Sequence, residues 1–187
     1  SSNHILDRWM ISKIHTAIKE VSASLEAYDT ITTTNVLMQV IDDTSTWYIR
    51  RSRDRFKFDD AKEQQKAIRT LAYVLHTVAK LMAPITPFIA EEIHQSLRQA
   101  NKKLVESIHL EAWPELDTRL MSKKINEEMR QVRDIVSKGL EAREKAKISL
   151  RQVLAKVEIA GEEIGKEYWP LIAEEINVKE VAFKKGT

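Results

Sequence analysis

Nothing in this chain is chemically as specific as the stretch Trp47-Tyr-Ile-Arg-Arg-Ser-Arg-Asp-Arg-Phe-Lys-Phe58. Arg50, Arg51, Arg53, Arg55 and Lys57 place five positive charges in eight residues against the one negative charge of Asp54. Trp47, Tyr48, Phe56 and Phe58 are interleaved with them. Guanidinium forks match phosphate oxygens bidentately, and aromatic rings offer stacking platforms for unpaired bases. On a helix, Trp47, Arg51 and Arg55 fall on one stripe at i, i+4 and i+8, with Arg50 and Arg53 fanned beside it. That surface could grip a nucleic-acid backbone. It could equally be a solvated charged face whose aromatics belong to the core, since cations near a helix C-terminus are favoured by the macrodipole. The residues alone leave these readings level. A second basic neighbourhood, Lys138, Arg143, Lys145, Lys147 and Arg151, is diluted by Glu141 and Glu144 and reads first as ordinary helix-end charge pairing.

Other constellations carry less. Glu91-x-x-His94 and Glu106-x-x-His109 repeat the spacing that carboxylate-bridged di-iron bundles place on facing helices. The second copy lies in a segment without helical period, and no further inward Glu breaks the apolar stripes. No metal site is therefore expected, and His94 is expected at the surface or facing the connector. Paired carboxylates, a nucleophile elbow and a Ser-His-Asp arrangement are all lacking, so no catalytic residue is assigned.

These residues need elements to position them. The 187 residues include 43% hydrophobic and 31% charged types, with four Gly and four Pro, a composition of long helices around a real core. A net charge of +2 means that any affinity for nucleic acid comes from clustering. The absence of cysteine excludes disulfides and thiolate metal sites and suits a reducing cytoplasm. No apolar run of about 18 residues suggests a membrane span. The chain starts with Ser and enters Leu6-Asp7-Arg8-Trp9 abruptly, as expected of a fragment of a longer polypeptide.

Apolar periodicity predicts a helix over 5–28, with Leu6, Met10, Ile14, Ala17, Val21, Leu25 and Tyr28 inward. A second helix follows Asp29 on Val36, Leu37, Val40 and Ile41, and its last turns carry the basic run. A third begins at Asp59-Asp60 on the stripe Ile68, Leu71, Leu75, Val78 and Met82 and ends at Pro84. Thr86-Pro87 supplies N-cap and first position of a fourth, on Ile89, Ile93 and Leu97. Residues 101–114 read as an extended connector with Trp113 tucked against the helices. A fifth helix spans 122–145 on Ile125, Met129, Val132, Val136 and Leu140. From Ile148 the pattern alternates, with Val153, Ala155, Val157 and Ile159 on one face of a strand. A helix containing Ile164, Tyr168, Leu171 and Ile176, kinked or restarted at Pro170, leads to a second strand over 178–184. The fold class is thus mainly α, a helical bundle over 1–147 with a small parallel β-α-β unit over 148–187.

The run Thr46-Trp-Tyr-Ile-Arg-Arg-Ser-Arg-Asp-Arg-Phe56 resembles the signature helix in the anticodon-binding domain of isoleucyl-tRNA synthetases. Leu6-Asp7-Arg8-Trp9, the run from Leu81 to Ile93 with its Ala-Pro-Ile-Thr-Pro-Phe core, His109-Leu-Glu-Ala-Trp-Pro114 and Arg151-Gln152 resemble further blocks of that family in its order. Valine and leucine relatives share the Ala-Pro-x-x-Pro-Phe block but are less basic after Trp-Tyr-Ile. Thr46, Lys57 and Val153 depart from the family's usual Asn, Trp and Pro. Leu120-Met-Ser-Lys-Lys124 resembles the ATP-handling Lys-Met-Ser-Lys-Ser loop of class I synthetases only superficially, because no Gly-rich phosphate turn or His-Ile-Gly-His motif accompanies it.

The resemblance implies an enzyme fragment without its catalytic domain, whose parent joins isoleucine to its tRNA with ATP and magnesium. It implies Trp47, Arg50, Arg51, Arg53, Arg55, Phe56 and Lys57, with Arg143, Lys147 and Arg151, as tRNA-binding residues, and Phe58 as a further base platform. It also implies no cofactor or metal in this part, the rest of the synthetase and an isoleucine tRNA as partners, a monomer, and a cytoplasmic location. The alternatives are a structural or protein-interaction helical domain and the corresponding valyl-type domain. The cysteine-rich zinc extension of some relatives is missing from this chain.

Overall fold

The structure is a computed structural model that describes residues 2–57 and 60–184. Phe58 and Asp59, named above, lie outside the described residues. The chain forms two compact units, Ser1–Ser122 and Lys123–Thr187.

The first unit contains α1 (Ile5–Glu26), α2 (Thr30–Asp42), a π-helical continuation Asp43–Ile49, α3 (Ala61–Met82) and α4 (Pro87–Ala100), then 3-10 turns at Ile108–Leu110 and Thr118–Leu120. Its core gathers Trp9, Met10, Ile14, Ile18 and Val21 of α1 with Leu37, Tyr48, Val74 and Leu81. The expected α1 stripe is buried as far as Val21, but Tyr28 is 93% exposed. Tyr28 stands at φ 56° beyond the helix end, where its N–H bonds the Leu25 carbonyl and the Asp29 N–H bonds the Ser24 carbonyl. That Schellman closure turns the chain out of the helix and swings Tyr28 off the face that the periodicity assigned to it. Asp29 and Asp60 cap α2 and α3 through their carboxylates. Thr86 and Pro87 open α4 as expected.

Two stripes are rotated from their expected lines. Along α3 the buried residues are Ala67, Thr70, Val74, Thr77, Val78, Ala79, Leu81 and Met82; of the expected line Val78 and Met82 are buried, Leu71 and Leu75 half-buried and Ile68 exposed. On α4 Ala90 and His94 are buried and Ile89 is exposed. Small residues sit where helices approach closely, so side-chain size misidentifies the buried line.

The second unit contains α5 (Lys123–Lys145), β1 (Leu154–Ala160), a 3-10 turn at Lys166–Tyr168, α6 (Trp169–Glu175) and β2 (Val178–Lys184). The strands pair in parallel, with Leu154 opposite Val178, Val157 opposite Val181 and Ile159 opposite Phe183. The compact units divide after Ser122, and α5 packs on α6 within the second unit. At Gly139 of α5 a Cβ would lie 2.8 Å from Ile176 Cγ2, so this packing depends on a missing side chain. Pro170 falls in the first turn of α6, where its absent N–H costs nothing, and marks a restart. The first strand begins at Leu154, not near Ile148, since the segment before it closes α5: Lys147 takes φ 55° and the Ile148 N–H bonds the Arg143 carbonyl.

Candidate nucleic-acid interface

The basic run starts as helix and ends as turns, and that change decides which cations face outward. The π-helical stretch Asp43–Ile49 feeds a last helical pair, Arg50 and Arg51, after which residues 52–57 turn. An extra residue per turn lets adjacent side chains share the inward face. Trp47 at 8% exposure and Tyr48 at 0% are both buried. Trp47 is thus a core residue, and the base platform expected of it is closed.

Arg55 folds back onto α1. Its Nη1 and Nη2 donate to Asp7 Oδ1 at 2.8 Å and Oδ2 at 2.6 Å. Nη2 also donates to Glu63 Oε1 at 2.6 Å, and Nε reaches the same oxygen at 3.2 Å. Tyr48 Oη donates to Asp7 Oδ1 at 2.6 Å. The Arg55 side chain is 11% exposed and that of Asp7 2%. Burial by itself would raise the Asp7 carboxyl, but hydrogen bonds from Arg55, Ser2 and Tyr48 and the guanidinium charge outweigh it and hold Asp7 below the carboxylate range. Burial and the Asp7 carboxylate push the Tyr48 phenol far up. Arg55, expected to meet phosphate, is instead the guanidinium that locks α1, the π-helix and α3 together. Glu63 reaches it from α3 because Asp60 starts that helix.

What remains outward is narrower. Arg53 and Lys57 are exposed and make no ion pair among the described residues. Arg50 is exposed, with Nε donating to the Thr46 carbonyl at 2.8 Å and its guanidinium 5.9 Å from the Trp47 ring centroid. Arg51 and Phe56 are half-buried, and the Phe56 ring meets Tyr48 edge-on at 6.5 Å. Three outward cations on a backbone fixed by a buried ion pair can hold a run of phosphates in one register.

In the second unit Arg143 is 6% exposed and donates Nη2 to the Ser149 carbonyl at 2.7 Å and to the Gln152 carbonyl, so it braces the turn beyond α5. Lys147 and Arg151 are exposed there.

The missed residue is Asp7. Its signal was available: Asp7 lies at helical spacing with Met10 and Ile14 on the buried face, and a buried carboxylate needs a paired cation. Which of five candidate cations supplies the charge required the fold. His94 is fully buried and faces the connector, with Nε2 2.9 Å from the Val105 carbonyl. Glu91 accepts from the Gln95 amide, the Ser107 hydroxyl and the Ile108 N–H, pinning the same connector. Trp113 is tied to α1 through Nε1 to Ser22 Oγ at 2.8 Å.

The first unit thus carries an outward basic edge, and the second a helix with a parallel strand pair. Residues 7–159 match the model of the anticodon-binding domain of tRNA ligase, and the chain belongs to that family. The chain is similar to proteins named isoleucine–tRNA ligase: from Streptomyces avermitilis at 39% identity over 182 residues, 95% of this chain and 17% of the relative; from Clostridium tetani at 35% over 184 residues, 97% and 18%; and from Thermobifida fusca at 39% over 178 residues, 93% and 17%. The chain therefore spans less than one fifth of the length of these relatives. Among the described residues no helix is long and apolar enough to cross a membrane.

Proposed function

We propose that this chain is the part of an isoleucine–tRNA ligase that grips the anticodon stem-loop of an isoleucine tRNA. The parent enzyme ligates isoleucine to that tRNA, and ATP and magnesium belong to its catalytic domain, outside this chain. The observation that carries the reading is the division of the basic run: Arg55 turns inward to Asp7 and Glu63, while Arg50, Arg53 and Lys57 stay exposed on the scaffold it locks. Phosphate contacts from these three, with Arg51 beside them, supply affinity and register. Phe56 is the aromatic within reach of an unstacked base, and Trp47 supports it from the core. Lys147 and Arg151 offer further backbone contacts, with Arg143 positioning their turn. The protein acts as a monomer in the cytoplasm.

The test is titration of the chain with an isoleucine tRNA and a valine tRNA from one source across salt concentrations. Preference for the isoleucine tRNA that persists as salt rises is the expected result, because non-specific phosphate attraction weakens for both RNAs alike. Equal affinities at every salt concentration would refute anticodon reading by this chain. Absence of binding would refute the RNA interface itself.

A further inference from the structure

Away from the basic run, α3, α4 and the connector bring together three side chains that no sequence motif pairs. One donor atom from each of His76, His94 and Glu111 lies within 4.8 Å of the other two. The imidazoles of His76 and His94 stack with centroids 5.6 Å apart and an interplanar angle of 27°.

The tautomer of His94 follows from its partner. The Val105 carbonyl can only accept, so Nε2 carries the proton and Nδ1 presents a lone pair. That lone pair is buried, on a residue with no solvent exposure, and has no hydrogen-bond partner. His76 Nε2 is likewise buried without a hydrogen-bond partner, 3.4 Å from Glu111 Oε1. The other carboxylate oxygen of Glu111 is fixed by Lys80 Nζ at 3.0 Å. Burying polar atoms without partners costs free energy, and two such nitrogens in one cluster with a carboxylate call for a shared occupant.

We propose that His76, His94 through Nδ1, and Glu111 form a binding site for a single Zn²⁺ ion that clasps the 101–114 connector to α3 and α4. Two neutral imidazoles and one carboxylate are a donor set zinc takes, with water in the remaining position. Any three atoms within 4.8 Å of one another share a point no more than about 2.8 Å from each. Shortening to Zn–N and Zn–O lengths of about 2.0–2.2 Å needs shifts under about 1 Å. The Nε2–H bond of His94 to Val105 and the Lys80 contact to Glu111 orient the ligands from behind, as outer partners of metal sites do. Glu111 also borders a surface cavity of about 230 Å³ lined by Lys80, Pro84, Ile108 and Trp113. This clasp is independent of RNA binding.

The experiment is calorimetric titration of Zn²⁺ into the metal-free 187-residue chain at pH 7.5, with histidine side-chain NMR on the same samples. One ion should bind per chain, moving the ring signals of His76 and His94 but not those of His4 or His15. His76→Ala and Glu111→Gln should each weaken binding at least about ten-fold, while His109→Ala should leave it unchanged. If His76→Ala does not fold by circular dichroism, the nearly isosteric Glu111→Gln decides alone. Lack of one-to-one binding, an unchanged affinity in Glu111→Gln, or an equal loss in His109→Ala would overturn the site.

Discussion

Replacing Arg55 by Met separates the two roles a guanidinium can play in this run. Met keeps much of the aliphatic stem but removes the charge that faces Asp7. Asp7 then stays in a position where its side chain is 2% exposed, with the Tyr48 hydroxyl still bonded to it but no cation. Breaking one side of a buried pair costs about 3–5 kcal/mol, a large part of the roughly 5–15 kcal/mol that holds a domain folded. Urea unfolding at pH 7 should show that loss. The double variant Arg55→Met with Asp7→Asn should recover most of it, because no unpaired charge remains. The pH dependence has a definite sign. The folded-state pKa of Asp7 lies below its ordinary 3.8, so in the parent sequence the pair's stability is fully present above about pH 4 and is lost as pH falls through the folded value. In Arg55→Met the uncompensated burial raises Asp7 instead, so the gap between variant and parent narrows on acidification. In RNA titrations of the folded variant the salt slope should not change. A loss below about 1 kcal/mol, typical of a surface pair, or a flattened salt slope would show that Arg55 is an outward phosphate contact.

Further expectations follow from the same geometry. Arg53→Ala and Lys57→Ala should each leave urea stability within about 0.5 kcal/mol. Each should also reduce the magnitude of the log-affinity against log-salt slope by about 0.7–0.9; an unchanged slope removes that residue from the contact set. His15 is neutral in the fold, with Nδ1 accepting from the Asp117 N–H at 3.2 Å and Nε2 2.9 Å from the Tyr73 hydroxyl. Burial lowers its pKa, opposed by the Asp117 charge. Its contribution to stability is therefore present above pH 6.5 and declines as pH falls below that value. Unfolding free energies at pH 7.5 and 5.5 should differ in that direction, and His15→Gln should shrink the difference. Gly139→Ala gains about 1 kcal/mol of helix propensity but drives its Cβ to 2.8 Å from Ile176, an overpacking cost of about 1–3 kcal/mol. A net fall in melting temperature is expected, and a rise would show that α6 yields at no cost.

Much of the fold is written locally. Helix starts at Asp29, Asp60 and Thr86-Pro87 follow from capping chemistry that acts over three or four residues, and the structure places α2, α3 and α4 there. The restart at Pro170 is equally local. The resemblance of the run after Tyr48 and of the other blocks, in the family's order, is what implies tRNA at the level of sequence.

Three matters were decided by long-range packing. Which face of α3 and α4 is buried depended on where Ala67 and Ala90 allow close approach, so the larger residues Ile68 and Ile89 misled. Which arginine turns inward depended on Asp7, 48 residues away in sequence. The meeting of His76, His94 and Glu111 came from three separate segments. Periodicity and capping record interactions within one helix, whereas partner choice among like charges is set by which carboxylate lies across the core. Sequence alone therefore determined that this chain is mainly helical and carries a basic run, and tertiary structure decided which of its cations stay exposed, because inward partners lie across the core.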